Sequence, residues 1–210
     1  MTFVCDGKFF LSPAGPEDTS AYARVHVSAL GASYRDIIGP DFGSRMREHA
    51  DEIAAEDRQY LAQPDATGFI AWSNPSLDET NDYGCCAVGA DPDLWFRPVG
   101  IALSADAGPL ESWEKDIGAA PIESPAGLRL RKLINLYILP EAQNEGLGSE
   151  LLRAALPTDD PAFLWIINGN AAAARFYRRH GFRDLGEVFE AEGAWAPSTT
   201  GRMVRGLEGS

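Results

Sequence analysis

The chain has 210 residues, 45% of them hydrophobic and 23% charged. That is ordinary globular composition, and the length suffices for one domain with a sizeable core. Its 18 basic and 31 acidic residues leave a net charge of −13, which argues against non-specific binding to nucleic acid or to an anionic membrane and suits cationic partners. No apolar run is long enough to span a bilayer, and Met1–Asp6 lacks the basic start of a secretory signal. Cys5, Cys85 and Cys86 make an odd count without disulfide or metal-site spacing, so a reducing cytoplasm and no bound metal are expected.

Lys8–Leu11 opens the chain as a short strand, and Ser12–Pro16 reads as a turn. Pro16, Glu17 and Asp18 mark a helix start, with proline in the first turn and acids near the positive dipole end. That helix is expected to run to Ala29 or Leu30 and stop at Gly31. His26 lies within it and reads as a satisfied, half-buried polar group. Tyr34–Phe42 is a loop or broken helix, and a second helix spans Ser44–Leu61 before Pro64. Thr67–Trp72 is the second strand, Pro98–Leu103 the third and Leu130–Leu139 the fourth. Two long connections separate them: Asn74–Arg97, rich in Asp, Pro, Gly and Asn with Trp95 and Phe96 near its end, and Ser104–Gly127, which holds Trp113. Connections of this length are often functional or disordered.

The stretch from Leu136 to Gly148 organises the rest. An apolar strand ends at Pro140, which has no N–H to give to a ladder. A turn with Gly146 and Gly148 follows, and then Leu147, Leu151, Leu152, Ala155 and Leu156 fall on one helical face. Strand, glycine turn and helix together make a place where unpaired first-turn N–H groups can meet a diphosphate. A P-loop is excluded because no lysine follows Gly148, and a dinucleotide fingerprint because Leu151 holds the third glycine position. After a turn at Pro157–Pro161, the apolar run Ala162–Ile167 should pair parallel with the fourth strand, because a helix crosses over between them. Asn170–His180 is the next helix. Asn170, Ala173 and Tyr177 share one stripe, Ala172 and Phe176 lie on another face and should pack on the sheet, and Gly181 caps the end. Phe182–Glu192 and Thr200–Leu207 read as a final antiparallel pair.

Both motifs resemble those of the GCN5-related N-acetyltransferases. Gln143, Gly146 and Gly148 fit Gln/Arg-x-x-Gly-x-Gly/Ala, reached from a strand ending Ile138-Leu139-Pro140. Asn170, Ala173, Phe176, Tyr177, Gly181 and Phe182 fit Asn-x-x-Ala-x-x-Phe-Tyr-x-x-x-Gly-Phe. Arg202–Arg205 looks like the family's closing strand. The N-terminal half fits in element order only.

The resemblance implies an α/β fold: a mixed sheet of about seven strands flanked by helices, splayed between the fourth and fifth, in a single domain over 1–210 with insertions at about 74–97 and 104–127. It implies acetyl-coenzyme A as co-substrate, held by Leu136, Ile138, Gln143, Asn144, Glu145, Gly146, Leu147, Gly148, Asn170, Ala173 and Tyr177. Direct transfer to a primary amine of a small molecule or protein follows, with the Ile138 N–H as an oxyanion donor and Tyr177 as general acid. Tyr34, Asp36 and Asp41 become acceptor-pocket candidates. Some family members place a glutamate on the fourth strand as base, but this strand has no carboxylate. Asp36, Asp41, Glu187, Glu190 and a water chain are left for that task. Two other functions stay open: a non-catalytic acyl-coenzyme A-binding or regulatory domain, and an interaction module using the acidic insertions. Asn74–Arg97 should emerge on the diphosphate side and Ser104–Gly127 at the opposite end. Asp78, Glu79, Asp82, Asp91 and Asp93 should point away from the coenzyme. Trp95 and Phe96 should fold back as an anchor or form a homodimer contact.

Overall fold

A computed structural model of the chain describes residues 2–73, 96–124, 128–156 and 160–207. Nine strands form one sheet: β1 (Thr2–Val4), β2 (Phe9–Ala14), β3 (Thr67–Ser73), β4 (Pro98–Asp106), β5 (Arg131–Ile138), β6 (Ala162–Ile167), β7 (Arg183–Asp184), β8 (Phe189–Glu190) and β9 (Thr199–Arg205). Their order is β1-β2-β3-β4-β5-β6-β9-β7, with β8 also beside β9. Among the described strand pairs, β5–β6 is parallel and the others are antiparallel. Among the described residues there are six α-helices: α1 (Thr19–Ile38), α2 (Phe42–Glu48), α3 (Ala50–Leu61), α4 (Ser112–Asp116), α5 (Leu147–Ala155) and α6 (Ala171–Arg179).

Two layers of core follow from strand alternation. Ile70 and Ile101 pack with Tyr22, Val25 and Leu61 under α1 and α3. Their neighbours Ala71 and Ala102 pack with Leu147, Leu151 and Ala155 of α5 on the other face. β4, buried at every position but its last, is a central strand, which explains why Pro98–Leu103 carries no polar side chain. On β5 the alternation breaks: Leu103 pairs with Asn135 but Ser104 with Leu133, so Ile134 is an extra, bulged residue. The bulge turns Asn135 and Tyr137 toward α1 and α3, while Leu133 and Leu136 face α5 and α6.

Several expectations need correction. The sheet has nine strands rather than about seven, because Thr2–Val4 adds an edge hairpin and Phe182–Glu192 supplies two short pieces, β7 and β8. The expected turn at Ser12–Pro16 is strand as far as Ala14. α1 does not stop at Gly31 but runs to Ile38. Gly31 is there for packing: a Cβ on it would lie 2.9 Å from Gly43 Cα, so the glycine pair lets α1 and α2 touch. The helix expected over Ser44–Leu61 is two, with His49 between them.

The candidate active site

The site comes from what β5 does not pair with. β5 and β6 are bonded only from Arg131–Leu133 to Ala162–Leu164. Beyond Leu133 the strands part, and the β6-facing backbone of β5 is left without a strand neighbour. The gap is a cleft of about 810 Å³ that runs from the glycine turn to the C-terminal half of α1.

At one end, Gly146 caps α5 with φ +84°, in the left-handed region, where a side chain would be strained. Asn144 is also left-handed, at φ +63°. The start of α5 opens on the cleft, which Gly146, Gly148 and Ser149 line. Gly148 has a second role unseen in the sequence. Its Cβ would come within 3.2 Å of the Phe176 ring and 3.3 Å of Ile138 Cδ1, so its absence lets α6 close over the start of α5. His180 fastens the same joint: Nδ1 donates to the Phe176 carbonyl at 2.9 Å, which leaves Nε2 to accept from the Ser149 hydroxyl at 3.0 Å. The β1–β2 hairpin leans on the glycine turn, with Lys8 bonded to Glu145 at 2.6 Å and Cys5 Sγ beside Gly146.

Of the residues expected to hold a ligand, Leu136, Ile138, Gln143, Asn144, Gly146, Gly148, Asn170, Ala173 and Tyr177 line the cleft. Gln143 Nε2 donates to the Ile138 carbonyl at 3.0 Å, bracing the turn against the strand. Leu147 is buried in the core, so only its backbone remains for a ligand. Glu145 does not line the cleft and is engaged by Lys8. Phe176 packs against the sheet side chains Leu133, Leu164, Ile166 and Met203, as expected, and it also lines the cleft, as Ala172 does, beside Ala173 and Tyr177.

Asn170 caps α6 through Oδ1, which accepts the Ala173 N–H at 3.1 Å. It also reaches Tyr34, as Tyr137 does. Three phenols thus gather where the strands part. Burial pushes Tyr177 well above an ordinary phenol, with Tyr34 adding to the rise. Burial raises Tyr34 as well, against the bonds to Tyr137 and Asn170. Tyr137 is also raised, by burial and by Tyr34. The sequence pointed to Tyr34 and Tyr177 but missed Tyr137. Strand alternation could have placed it on the cleft wall had the bulge at Ile134 been visible.

None of the carboxylates considered as base reaches the cleft. Asp36 and Asp41 are exposed, and Asp36 stands outside the pocket that Tyr34 lines. Glu187 is held by Arg202 at 2.6 and 2.8 Å, and Glu190 is exposed. Among the described residues, those lining the cleft include no carboxylate and one cation, Arg179. In a chain of net charge −13, this channel without acids suits an anionic ligand.

Comparison with known proteins agrees with this geometry. Residues 69–184, just over half the chain, match the profile of an acetyltransferase (GNAT) domain. No curated protein gave a significant match by sequence. Among solved structures, an acetyltransferase from Thermus thermophilus superposes with a TM-score of 0.55 at 19% identity, covering 99% of this chain and 100% of that one. A protein from Corynebacterium glutamicum, described as histone acetyltransferase HPA2 and related acetyltransferase, gives 0.54 at 20%, covering 97% and 98%. Arabidopsis thaliana NAA60, solved in complex with acetyl-CoA, gives 0.55 at 14%, covering 95% and 99%. At these identities the likeness is one of fold.

Proposed function

Because this chain belongs to the GNAT acetyltransferase family, we propose that it moves an acetyl group from acetyl-coenzyme A directly to a primary amine. The observation that carries this reading is the cleft itself, which joins the N-terminus of α5 to the buried phenol of Tyr177. The residues fit the co-substrate. Gly146 leaves the helix N-terminus open to a diphosphate, Arg179 adds a positive charge, and no lining carboxylate repels the phosphates. Unpaired backbone of β5 between Ile134 and Ile138 can bond an extended amide arm as a strand would. Acetyl-coenzyme A supplies an activated thioester. The chain's own task is to align the amine, exclude water from the splay and manage two protons. Tyr177, kept neutral by burial, gives its proton to the departing sulfur. An Ile138 N–H turned into the splay would stabilise the developing oxyanion.

The test has two stages. Calorimetry should show coenzyme A binding to the parent protein and not to Gly146→Glu, whose side chain would occupy the diphosphate position and repel it. Acetyl-coenzyme A should then be consumed with at least one of tyramine, spermidine, lysine and a peptide with a free N-terminus. Binding without turnover would favour a non-catalytic acyl-coenzyme A sensor. No binding would leave a protein-interaction module.

A further inference from the structure

A diphosphate is doubly negative, and carboxylates surround the turn that would receive it. Glu145 stands between Asn144 and Gly146. Both neighbours are left-handed and both line the cleft, yet Glu145 does not. Its Oε2 accepts from the Lys8 ammonium at 2.6 Å. The Lys8 and Glu145 side chains are 51% and 42% exposed, and an ion pair so open to water contributes little to folding. Lys8 lies 137 positions away in sequence, on the turn between β1 and β2. That turn is closed by the Gly7 N–H on the Val4 carbonyl at 3.2 Å and the Lys8 N–H on the Cys5 carbonyl at 3.1 Å. From the same turn, Cys5 Sγ lies 3.7 Å from where a Gly146 Cβ would stand. Its thiol registers the surroundings: burial raises it, Glu150, Asp6 and Glu145 add to the rise, and Lys8 opposes them. Glu150 is paired on its own helix by Arg153 at 2.7 Å. Glu145 is paired from the hairpin.

We propose that Lys8 is a positioning residue for the coenzyme: it neutralises Glu145 and holds that carboxylate outside the diphosphate site. This rests on the coenzyme reading above, and it brings in an element that neither sequence motif contains. Glu145 is bonded directly to Gly146, the residue that caps α5, so its charge stays near anything bound at that helix end. Unpaired, it would oppose the phosphates and offset part of the attraction of the helix N-terminus. Paired with Lys8, it presents almost no net charge. The influence is coulombic, so it falls on the phosphates and not on the packing of the turn. Both partners meet water, so salt screens it. The position of Glu145 inside Gln143–Gly146 invites reading it as a ligand. The geometry gives it the opposite character, a carboxylate that the hairpin restrains.

The experiment is a double-mutant cycle on the Kd of coenzyme A, read by calorimetry at about 0.01 M and about 1 M salt, where the screening length falls roughly tenfold. At low salt Lys8→Met should weaken binding by about three- to tenfold, the size expected of one uncompensated charge acting on a diphosphate through water. Lys8→Arg keeps the cation and should bind as the parent does. Glu145→Gln leaves the Lys8 charge free and should tighten binding by a similar factor. The double variant, Lys8→Met with Glu145→Gln, should return to the parent Kd. At high salt all four variants should converge on the parent within about twofold. Both side chains are largely in water, so the variants should melt with the parent. Parent-like binding by Lys8→Met at low salt would overturn the proposal. So would a double variant as weak as Lys8→Met alone, because Lys8 would then act as a phosphate ligand in its own right. A Lys8→Met penalty undiminished by salt would overturn it too, since lost packing of the hairpin would be its source. A parent protein that does not bind coenzyme A would instead overturn the ligand reading on which the proposal rests.

Discussion

Tyr177 is the side chain whose placement the sequence revealed most fully, because three residues spaced by three and four must share a helical stripe whatever lies around them. In the structure Tyr177 is packed between Phe176 and Phe182, with ring centroids 5.2 and 5.7 Å away, and burial raises its phenol above 10.0. Tyr177→Phe should therefore cut kcat by ~10²–10⁴-fold while coenzyme affinity, read by calorimetry, stays the same. A raised phenol is still protonated at mildly alkaline pH, so Tyr177 should impose no alkaline limb on kcat below its ordinary value of 10.0. A kcat within a few-fold of the parent, with chemistry rate-limiting, would make the residue structural. His26 is the opposite case. Spacing along α1 gives no sign that Asp57, 31 positions away, closes on it. A tertiary partner of that kind is invisible to local pattern, and the bland reading of His26 as a paired helix polar group was correct.

At the scale of elements, the sequence showed periodicity better than boundaries. Gly31 looks the same as a helix stop or as a contact glycine, and only Gly43 on the neighbouring helix decides between them. α4 shows the same limit. Five residues do not make a stable helix alone, and its support is tertiary. Glu114 accepts the Glu111 N–H at 2.8 Å and the Trp165 indole N–H at 2.6 Å. Lys132 of β5 reaches Glu111 at 2.5 Å and Glu114 at 3.1 Å, and Tyr60 of α3 donates to Glu111 at 2.7 Å. Removing the cation would leave Glu114, its side chain 3% exposed, as a buried charge without its partner. Lys132→Met should thus cost about 3–5 kcal/mol in chemical denaturation at pH 7. Burial pushes the Glu111 carboxyl up, but Lys132 and the Tyr60 and Trp113 donors outweigh it and hold the group below 4.5. A depressed carboxyl contributes stability above its unfolded value, and that contribution is lost as pH falls through the folded one. The gap between parent and Lys132→Met should accordingly narrow below about pH 4.5. A gap independent of pH would mean that lost packing, not charge, sets it.

Across the whole molecule, the skeleton from β3 to α6 was legible because each connection constrains the next. A helix between β5 and β6 forces them parallel, and β4 must then run antiparallel beside β5, as the Gly100–Ile138 and Asp106–Arg131 pairs show. The edge hairpin was not legible, since β1 is three residues, none of them buried, and carries no alternating pattern. The same register places the ends of the first long connection. Ser73 N–H bonds Arg97 O at 2.9 Å, and Trp72 pairs with Pro98, at the glycine-turn end of the sheet, as expected. The junction with Ser104–Gly127 lies at the other end, where Ala107 N–H meets Leu130 O at 2.8 Å. Asp78, Glu79, Asp82, Asp91, Asp93 and Trp95 lie outside the described residues. Phe96 does fold back: its ring meets Phe10 edge-on at 5.0 Å while 44% of the residue stays exposed.

Because Ser73 and Arg97 are already joined by a sheet bond, replacing residues 74–95 with a short glycine-containing turn shortens the connection while leaving β3 and β4 whole. Loop entropy changes only slowly with length. The melting temperature and the coenzyme Kd should therefore hold, and with Phe96 retained as the anchor the acceptor KM should hold too. A many-fold rise in acceptor KM at unchanged coenzyme affinity and unchanged mass in solution would place the segment at the acceptor mouth and defeat the anchoring account.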